Sequence, residues 1–584
     1  MFNCVMKGNH LVWNTEFEEA RNYLNSLKTN PRMTFELGSI AALSSNISGE
    51  TAMREQGMSD LENAEHALKK ISKKDDILKL VEEYKALNKK LKEASEDYYT
   101  HTERSHKNFV ELEEMNEEQI LHNFELDLTL LNGETHLLRG ILQFHASSYL
   151  KGFYNLRKAY LKFKEVYTTV ESLKDEPKTS PKFVHSDLLH GAYFGLGIFN
   201  FMLSILPPTL AKILSVLGFD ADRDQGLHLL KQVHDYGGRH LGNGGFMLCL
   251  NYLFIPRALQ DREKNLQEVS PILERIGSRF PKSGFFKFIH SHYDRKAGDI
   301  NSAISNLKDA IQITAKSMGT KPNNFLFELG VCYMLIMNFT EAAAIMEDLV
   351  KSEKEFDTKG ISCMLLSVCK LKLGDKERAN ILIKDLDKYV SKNSRIDKFA
   401  LEKVDLIKHI NTEEEKHLMM LVSIFQILYL RRDLANLSAD IADPLYQFFL
   451  SVAKDVKIDD KSKVHGDIES GMCVVKGQFL RQLGKKEESS AEFQKALTFE
   501  NKIKLEKQWI AFSHYEIAES CYLGDVKTET DEKKKLQLLH EVKKSLEKCN
   551  KLSGYPFEEV LHSRAKLALK QVEHEIKELA QKEK

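Results

Sequence analysis

Apolar residues recur along this chain with the spacing of amphipathic helices, and the pattern is clearest from about residue 285 to 390. Within that stretch the same two-helix arrangement returns several times. Each copy places a small residue, glycine or alanine, where two antiparallel helices would cross. The pattern therefore predicts a series of helical hairpins.

The clearest copy is "LFELGVCYMLIMNFTEAAAIMEDL", residues 326–349. Six of its residues fall in register with the 34-residue tetratricopeptide (TPR) template: Leu326, Leu329, Gly330, Tyr333, Ala342 and Met346. Small side chains at Gly330 and Ala342 would let the helices approach closely, while Tyr333 and Met346 would fill the adjoining groove. The match predicts a TPR-like hairpin here.

Neighbouring segments repeat this hairpin less regularly. The corresponding positions are Ala303 and Ala310 upstream, Ala379 downstream, and Gly477, Ser489, Phe493 and Ala496 in a fourth copy. Ala303, Ala342 and Ala379 are 39 (342 minus 303) and 37 (379 minus 342) residues apart, more than the ideal 34, so we expect longer loops or extended helices. We predict an all-α fold of TPR-like repeats forming an α-superhelix, and ordinary helical hairpins are the alternative.

Near the N-terminus, "WNTEFEEARNYLNSL" resembles a second helix with Ala20 and Leu24. Between residues 60 and 125 the chain is strongly charged, and apolar residues there step by threes and fours, namely Ile77, Leu80, Tyr84, Leu87, Leu91, Ala94 and Tyr98. So short a heptad seam favours packing on neighbouring helices over coiled-coil dimerisation.

The most apolar stretch contains no charged residue from Leu188 to Ala211. It is long enough for a membrane span, but Pro207 and Pro208 interrupt the helix, and an amphipathic helix with Lys212 follows them. A buried helical hairpin bent at the two prolines is therefore the preferred interpretation. A surface-lying lipid contact is the alternative.

Composition and charge narrow the function. The 84 basic and 85 acidic residues cancel, so no overall field points to nucleic acid. Charged residues make up 29% and hydrophobic ones 42%, the balance of amphipathic helices. The eight cysteines form no Cys-x-x-Cys pair, and the first residues lack a signal-peptide pattern, which favours a cytoplasmic protein.

Motifs that would carry chemistry are incomplete. In "DADRDQG", residues 220–226, the alternating aspartates resemble the start of an EF-hand, but a calcium loop would need glycine in place of Gln225 and glutamate in place of Lys231. We expect instead that Asp222 and Gln225 form a capping box at the start of the next helix. "YGGRHLGNGG", residues 236–245, lacks the Gly-Lys-Ser/Thr of a phosphate loop and is predicted to be a flexible loop. We predict no catalytic residues, no cofactor and no metal site.

"FGLGIFNFMLSILPPTLAKILSVLGFDADRDQGLHLL", residues 194–230, resembles the signature block of the tetratricopeptide repeat protein 39 family, which is related to fungal inclusion body clearance and mitochondrial outer membrane-associated proteins. The signature positions are Pro207, Pro208, Gly218, Phe219, Asp222, Arg223 and Gly226. "YLKGFYNLRKAY" at 149–160 and "LVSIFQILYL" at 421–430 agree with the same family. Where the family usually has a helix ending in Leu-Trp-Tyr-His, this chain has "GGFMLCLNYLFIPRAL".

The resemblance implies a non-catalytic helical scaffold linked to lipid homeostasis, to inclusion clearance or, in some members, to cilia. We divide the chain into an N-terminal region with a hairpin and a long charged helix, a central region with the signature block, and two sets of TPR-like repeats. The boundaries are 1–130, 131–265, 266–412 and 413–584.

We therefore expect an adaptor whose concave face binds a partner protein or peptide. The first alternative is a protein peripheral to lipid droplets or organelle membranes that uses residues 188–219. Weaker alternatives are a ciliary assembly factor and an enzyme with a site spread over the repeats.

Overall fold

A computed structural model describes residues 2–27, 30–146, 148–205, 222–255, 259, 262–390 and 394–582. Throughout those ranges the secondary structure is helical, without a β-strand, which confirms the all-α prediction. The chain divides into two compact units. Unit 1 comprises Met1–Asn251, Glu268–Ile289 and Asp309–Pro322, and unit 2 comprises Tyr252–Gln267, His290–Lys308 and Asn323–Lys584.

Eleven α-helices of the described residues lie wholly in unit 1, and three more contribute residues to both units. The first set is α1 Asn3–Trp13, α2 Phe17–Asn25, α3 Pro31–Ser48, α4 Thr51–Lys70, α5 Lys74–Glu93, α6 His101–Arg104, α7 Glu117–His145, α8 Tyr149–Leu173, α9 Ser186–Ser204, α10 Arg223–Tyr236 and α11 Leu241–Cys249. The shared helices are α12 Arg262–Arg279, α13 Gly284–Ala297 and α14 Ile300–Met318.

The remaining helices belong to unit 2. They are α15 Asn323–Leu335, α16 Phe339–Lys351, α17 Lys359–Lys372, α18 Lys376–Asp385, α19 Arg395–Ile407, α20 Glu413–Leu430, α21 Ala439–Ala453, α22 His465–Gln482, α23 Lys486–Leu497, α24 Gln508–Cys521, α25 Glu532–Lys551 and α26 Glu558–Lys582.

Helices of two kinds build the hairpins of unit 2. The first helices, such as α15 and α17, are apolar around most of their circumference and are buried along most of their length. The second helices, such as α16 and α23, are amphipathic, with small and apolar residues inside and charged residues outside. The exposed surface of these hairpins therefore belongs mainly to their second helices.

Five hairpins of the described residues turn in the same way. The residue with positive φ is Thr15, Gly298, Met337, Gly374 or Gly484. The amide of the next residue donates to the carbonyl oxygen five positions earlier, as from Asn338 N to Tyr333 O at 2.9 Å. This is the Schellman ending of a helix. A small buried residue follows each positive-φ residue by five positions: Ala20, Ala303, Ala342, Ala379 or Ser489.

Helix α9 carries the described part of the apolar stretch. Nearly all of its residues from Ser186 to Leu203 are buried in unit 1. The two prolines and the rest of the stretch, from 206 to 221, lie outside the described residues. None of the helices in the described ranges combines the length and the apolar character that crossing a bilayer requires.

Candidate interaction surface

Small first-helix residues set the close approach of the helices within each hairpin. A Cβ atom placed on Gly330 would lie 2.5 Å from Met346 Cε, and one on Gly477 would lie 2.7 Å from Phe493 Cε1. The five hairpins have glycine or serine at this position, namely Gly8, Ser291, Gly330, Ser367 and Gly477, and each lies twelve residues before the small residue of its second helix. The crossings therefore depend on the absence of a larger side chain.

The other predicted repeat positions also lie inside the hairpins. Leu326 is half-buried, and the buried ones are Leu329, Tyr333, Ala342, Met346, Ala303, Ala310, Ala379, Ser489, Phe493 and Ala496. The Ser489 hydroxyl donates to the Gly477 carbonyl at 2.7 Å across its crossing. Because these side chains contact their own hairpins, a partner has to bind other residues.

Four of the signature positions, Pro207, Pro208, Gly218 and Phe219, lie outside the described residues. Asp222 caps α10, and its carboxylate accepts from the amides of Asp224 and Gln225, both at 3.0 Å. Instead of completing a capping box, Gln225 Oε1 accepts from Asn200 Nδ2 at 3.0 Å and thereby joins α10 to α9.

The last two signature residues hold the same region together. Arg223 Nη2 donates to Asn251 Oδ1 at 2.6 Å. A Cβ atom on Gly226 would lie 2.7 Å from the backbone nitrogen of Phe201, so only glycine fits where α10 crosses α9. The described signature residues thus position helices.

The prediction of a flexible loop at residues 236–245 is wrong. Gly238–His240 forms a short 3₁₀ helix, α11 begins at Leu241, and most of the segment is buried. Gly242 packs so tightly on Trp13 that a Cβ atom would lie 2.5 Å from Trp13 Cε2. The glycines serve close packing, which their sequence alone does not distinguish from flexibility.

A buried ionic cluster surrounds this segment in unit 1. Arg32 Nη2 and Arg239 Nη1 both contact Asp127 Oδ1, at 2.6 and 2.7 Å. Arg32 also pairs with Glu134. Burial by itself raises the pKa of a carboxyl group, but the charges of Arg32 and Arg239 outweigh it and hold the pKa of Glu134 well below its usual range. The charges of the two arginines balance those of the two carboxylates. Because Arg32 lies on α3, the two carboxylates on α7 and Arg239 in the 3₁₀ helix, the cluster joins these three elements.

Unit 2 has a similar cluster. Arg431 Nη2 lies 2.7 Å from Glu328 Oε2, and Arg431 Nε lies 2.8 Å from Asp433 Oδ2. Arg295 pairs with the same two carboxylates. Neither cluster is predicted from the sequence above, although single charges inside apolar helices, such as Glu328, are a recognisable signal. Among the side chains that the structure describes, no group of three or more His, Cys, Asp or Glu is arranged to bind a metal ion.

Helix α8 carries an unusual exposed surface. Leu150 is 87% exposed, Tyr154 61% and Leu161 54%, and Tyr149 beside them is 52% exposed. Arg157 and Lys164 are exposed on the same face. We call Leu150, Tyr154, Arg157, Leu161 and Lys164 the α8 stripe. It combines apolar, aromatic and cationic groups, as protein interfaces do, and it is the candidate interaction surface.

Residues 6–430 match the model of a protein family described as Iml2/Tetratricopeptide repeat protein 39. A similar protein is Tetratricopeptide repeat protein ttc-39B of Caenorhabditis elegans, 27% identical over 196 residues, which are 32% of this chain and 33% of that protein. The chain thus spans about a third of the length of this relative.

Solved structures with a similar arrangement have low identity. A human IFIT1 dimer with PPP-AAAA is 12% identical, with 84% of this chain and 94% of that chain covered and a TM-score of 0.31. The APC/C hetero-tetramer Cut9-Hcn1 is 12% identical, with 95% and 91% covered and a TM-score of 0.23.

Proposed function

Because the chain belongs to the Iml2/Tetratricopeptide repeat protein 39 family, we propose that it is a non-catalytic scaffold that binds partner proteins. The observation that carries this proposal is the hairpin unit shared by five segments, with the same turn and the same small residues at the crossing. Repeated hairpins of this kind form a rigid framework that presents side chains to a partner.

By family resemblance, the scaffold would act in lipid homeostasis or in the clearance of protein inclusions. The described half of the apolar stretch does not favour a lipid anchor, because α9 is buried within unit 1. The proposal therefore places the scaffold's contacts on exposed helix faces, and its partners are proteins.

Two matched variants test the scaffold. Ala342 is fully buried at a hairpin crossing, and Ala344 is exposed two residues later on the same helix. We expect Ala342→Arg to disrupt the crossing, because a charge buried without a partner is strongly unfavourable. Ala344→Arg adds the same side chain to the solvent face and should leave the hairpin intact.

The readout is the mass of the native complex. The full chain and both variants are purified from the cells that make them after mild cross-linking, and their mass is measured by light scattering. We expect the intact chain and Ala344→Arg to elute with a protein partner at fixed stoichiometry, above the 67.1 kDa of the chain alone. Ala342→Arg should lose that partner. An intact chain that always elutes by itself would contradict the scaffold.

A further inference from the structure

The α8 stripe follows the spacing of a coiled-coil seam. Its residues occupy positions 150, 154, 157, 161 and 164, with steps of four, three, four and three. This alternation keeps one row of side chains facing a second, roughly parallel helix over several turns. The row extends for about 21 Å along α8, at 1.5 Å per residue. Its geometry fits an occupant that is itself a helix.

The charged residues of α8 along the stripe are basic, and the first acidic one, Glu165, comes directly after Lys164. From Tyr149 to Lys164 the chain has five basic residues and no acidic one, namely Lys151, Arg157, Lys158, Lys162 and Lys164. Lys162 pairs with Glu165 at 2.9 Å, and Lys158 Nζ lies 4.6 Å from the centre of the Tyr154 ring. Within the described residues, Arg157 and Lys164 have no carboxylate partner. Their charges are available to an acidic occupant.

We propose that the α8 stripe binds an amphipathic helix of a partner protein, with apolar residues facing Leu150, Tyr154 and Leu161 and with acidic residues facing Arg157 and Lys164. The inference rests on the proposed scaffold function and specifies the class of partner. Tyrosine and arginine are enriched at the energetically dominant positions of protein interfaces. Paired carboxylates would set the register and orientation of the bound helix.

The arrangement of the stripe disfavours two other occupants. A helix that lies on a membrane keeps the centre of its lipid-facing side apolar and its cations at the edges, whereas Arg157 and Lys164 lie within the α8 stripe itself. A second copy of the chain would bring the same positive stripe against its own image, and like charges in contact are unfavourable.

The test uses the full chain and a fluorescent designed peptide of three heptads with leucine at a and d and glutamate at e and g. A peptide with lysine at e and g is the control. The stripe variant is Leu161→Ser with Lys164→Glu. Its matched control is Ile381→Ser with Lys384→Glu on α18, because Ile381 is 44% exposed and Lys384 is also exposed three residues later.

We expect the glutamate peptide to bind the wild-type chain at least about tenfold more tightly than the lysine peptide, measured by fluorescence anisotropy at about 0.15 M salt. The stripe variant should weaken that binding about tenfold, and the α18 variant should leave it unchanged. In the double variant Arg157→Glu and Lys164→Glu, the binding preference should shift from the glutamate peptide toward the lysine peptide. Circular dichroism checks that the variants keep the helical content of the wild type.

Several results would overturn the inference. One is equal binding of both peptides, or of neither, by the wild-type chain. Another is a result in which the peptide does not bind, the wild-type chain sediments with phosphatidylserine vesicles, and the stripe variant does not sediment with them. That result would show that the stripe binds lipid. A third is a dimer that the stripe variant dissociates. If the stripe variant still copurifies with the protein partner described above, the scaffold stands and only this surface is wrong.

Discussion

Single buried charges show how strongly the interior of unit 1 selects a protonation state. Asp127 and Glu134 both pair with Arg32, and the charges of Arg32 and Arg239 hold the pKa of Glu134 well below its usual range. Glu36 lies close to the same groups but pairs with neither arginine directly, and burial raises its pKa to about 7. Removing one partner from a buried pair typically costs about 3–5 kcal/mol. These residues therefore affect stability in opposite ways.

Substitution of Glu36 tests this difference through pH. Its pKa is raised from 4.5 to about 7 on folding, so the protonated form that the fold prefers is present at low pH and is lost as the pH rises through 7. Glu36→Gln fixes a neutral side chain. We expect Glu36→Gln to have the same free energy of unfolding as wild type near pH 4.5. At pH 8 its free energy of unfolding should be higher than that of wild type by about 2–3 kcal/mol. Urea unfolding at the two pH values measures the change.

Glu134→Gln is the control of opposite sign. The pKa of Glu134 is depressed in the folded chain, so its contribution to stability is present above the unfolded pKa and is lost as the pH falls. We expect Glu134→Gln to destabilise the protein at pH 8. Stabilisation at pH 8 by both substitutions, or by neither, would mean that the cluster does not hold the charges as described.

At the scale of helices, the first-helix glycine and its partner in the second helix set the distance between paired elements. A Cβ atom on Gly477 would lie within 2.7 to 3.0 Å of three atoms of the Phe493 ring, which is fully buried. The corresponding Cβ atom on Gly330 would lie closer than 3.5 Å to only one atom, Met346 Cε, at the end of an unbranched chain. A methionine can change rotamer where a packed ring cannot.

We therefore expect Gly477→Ala to lower the free energy of unfolding by about 1–2 kcal/mol, even after the gain in helix propensity. Gly330→Ala should change it by less than about 0.5 kcal/mol, because the propensity gain offsets the displacement of Met346. Chemical unfolding of the two variants gives the comparison. Phe493→Leu in the Gly477→Ala background should recover part of the loss. Equal costs at the two glycines would contradict the described packing.

How far the sequence predicts these elements depends on the residue type at each position. Small residues such as Gly330 and Ala342 recur in several segments in the register of the tetratricopeptide template, so the hairpins could be predicted from that register. The shared turn could not, because Thr15 and Met337 occupy the positive-φ position that glycine occupies elsewhere. Nothing in the residue type of methionine indicates a left-handed backbone, which here is imposed by the packing of both helices.

The α8 stripe shows the same limit for the interaction surface. The sequence alone shows that residues 149–164 include no acidic side chain. The apolar residues on the remaining faces of α8, such as Phe163 and Val166, are equally prominent in the sequence but are buried. Which apolar row faces solvent is decided by the helices that pack on α8, so the exposed row could be identified only in the folded chain.

At the scale of the whole molecule, the reactivity of the eight cysteines depends on the packing of both units. All eight lie in the described residues as free thiols, seven of them buried. Burial raises the pKa of each, to about 12 for Cys332 and Cys473 and to about 11 for the half-buried Cys521. A thiol reacts as its thiolate, so both access and ionisation oppose reaction in the folded chain.

We expect a thiol-specific disulfide reagent at pH 7.5 to modify at most one cysteine in the native protein, and that cysteine is Cys521. Its raised pKa should slow the reaction about a hundredfold relative to an ordinary exposed thiol. The other seven should react only after denaturant unfolds the chain, and Cys521→Ser should remove the native reaction. Because the buried thiols are distributed over both units, immediate modification of several would show that the hairpins open at equilibrium. If only one thiol reacts in the native protein, and reacts slowly, the helices of both units must be closely packed at the same time.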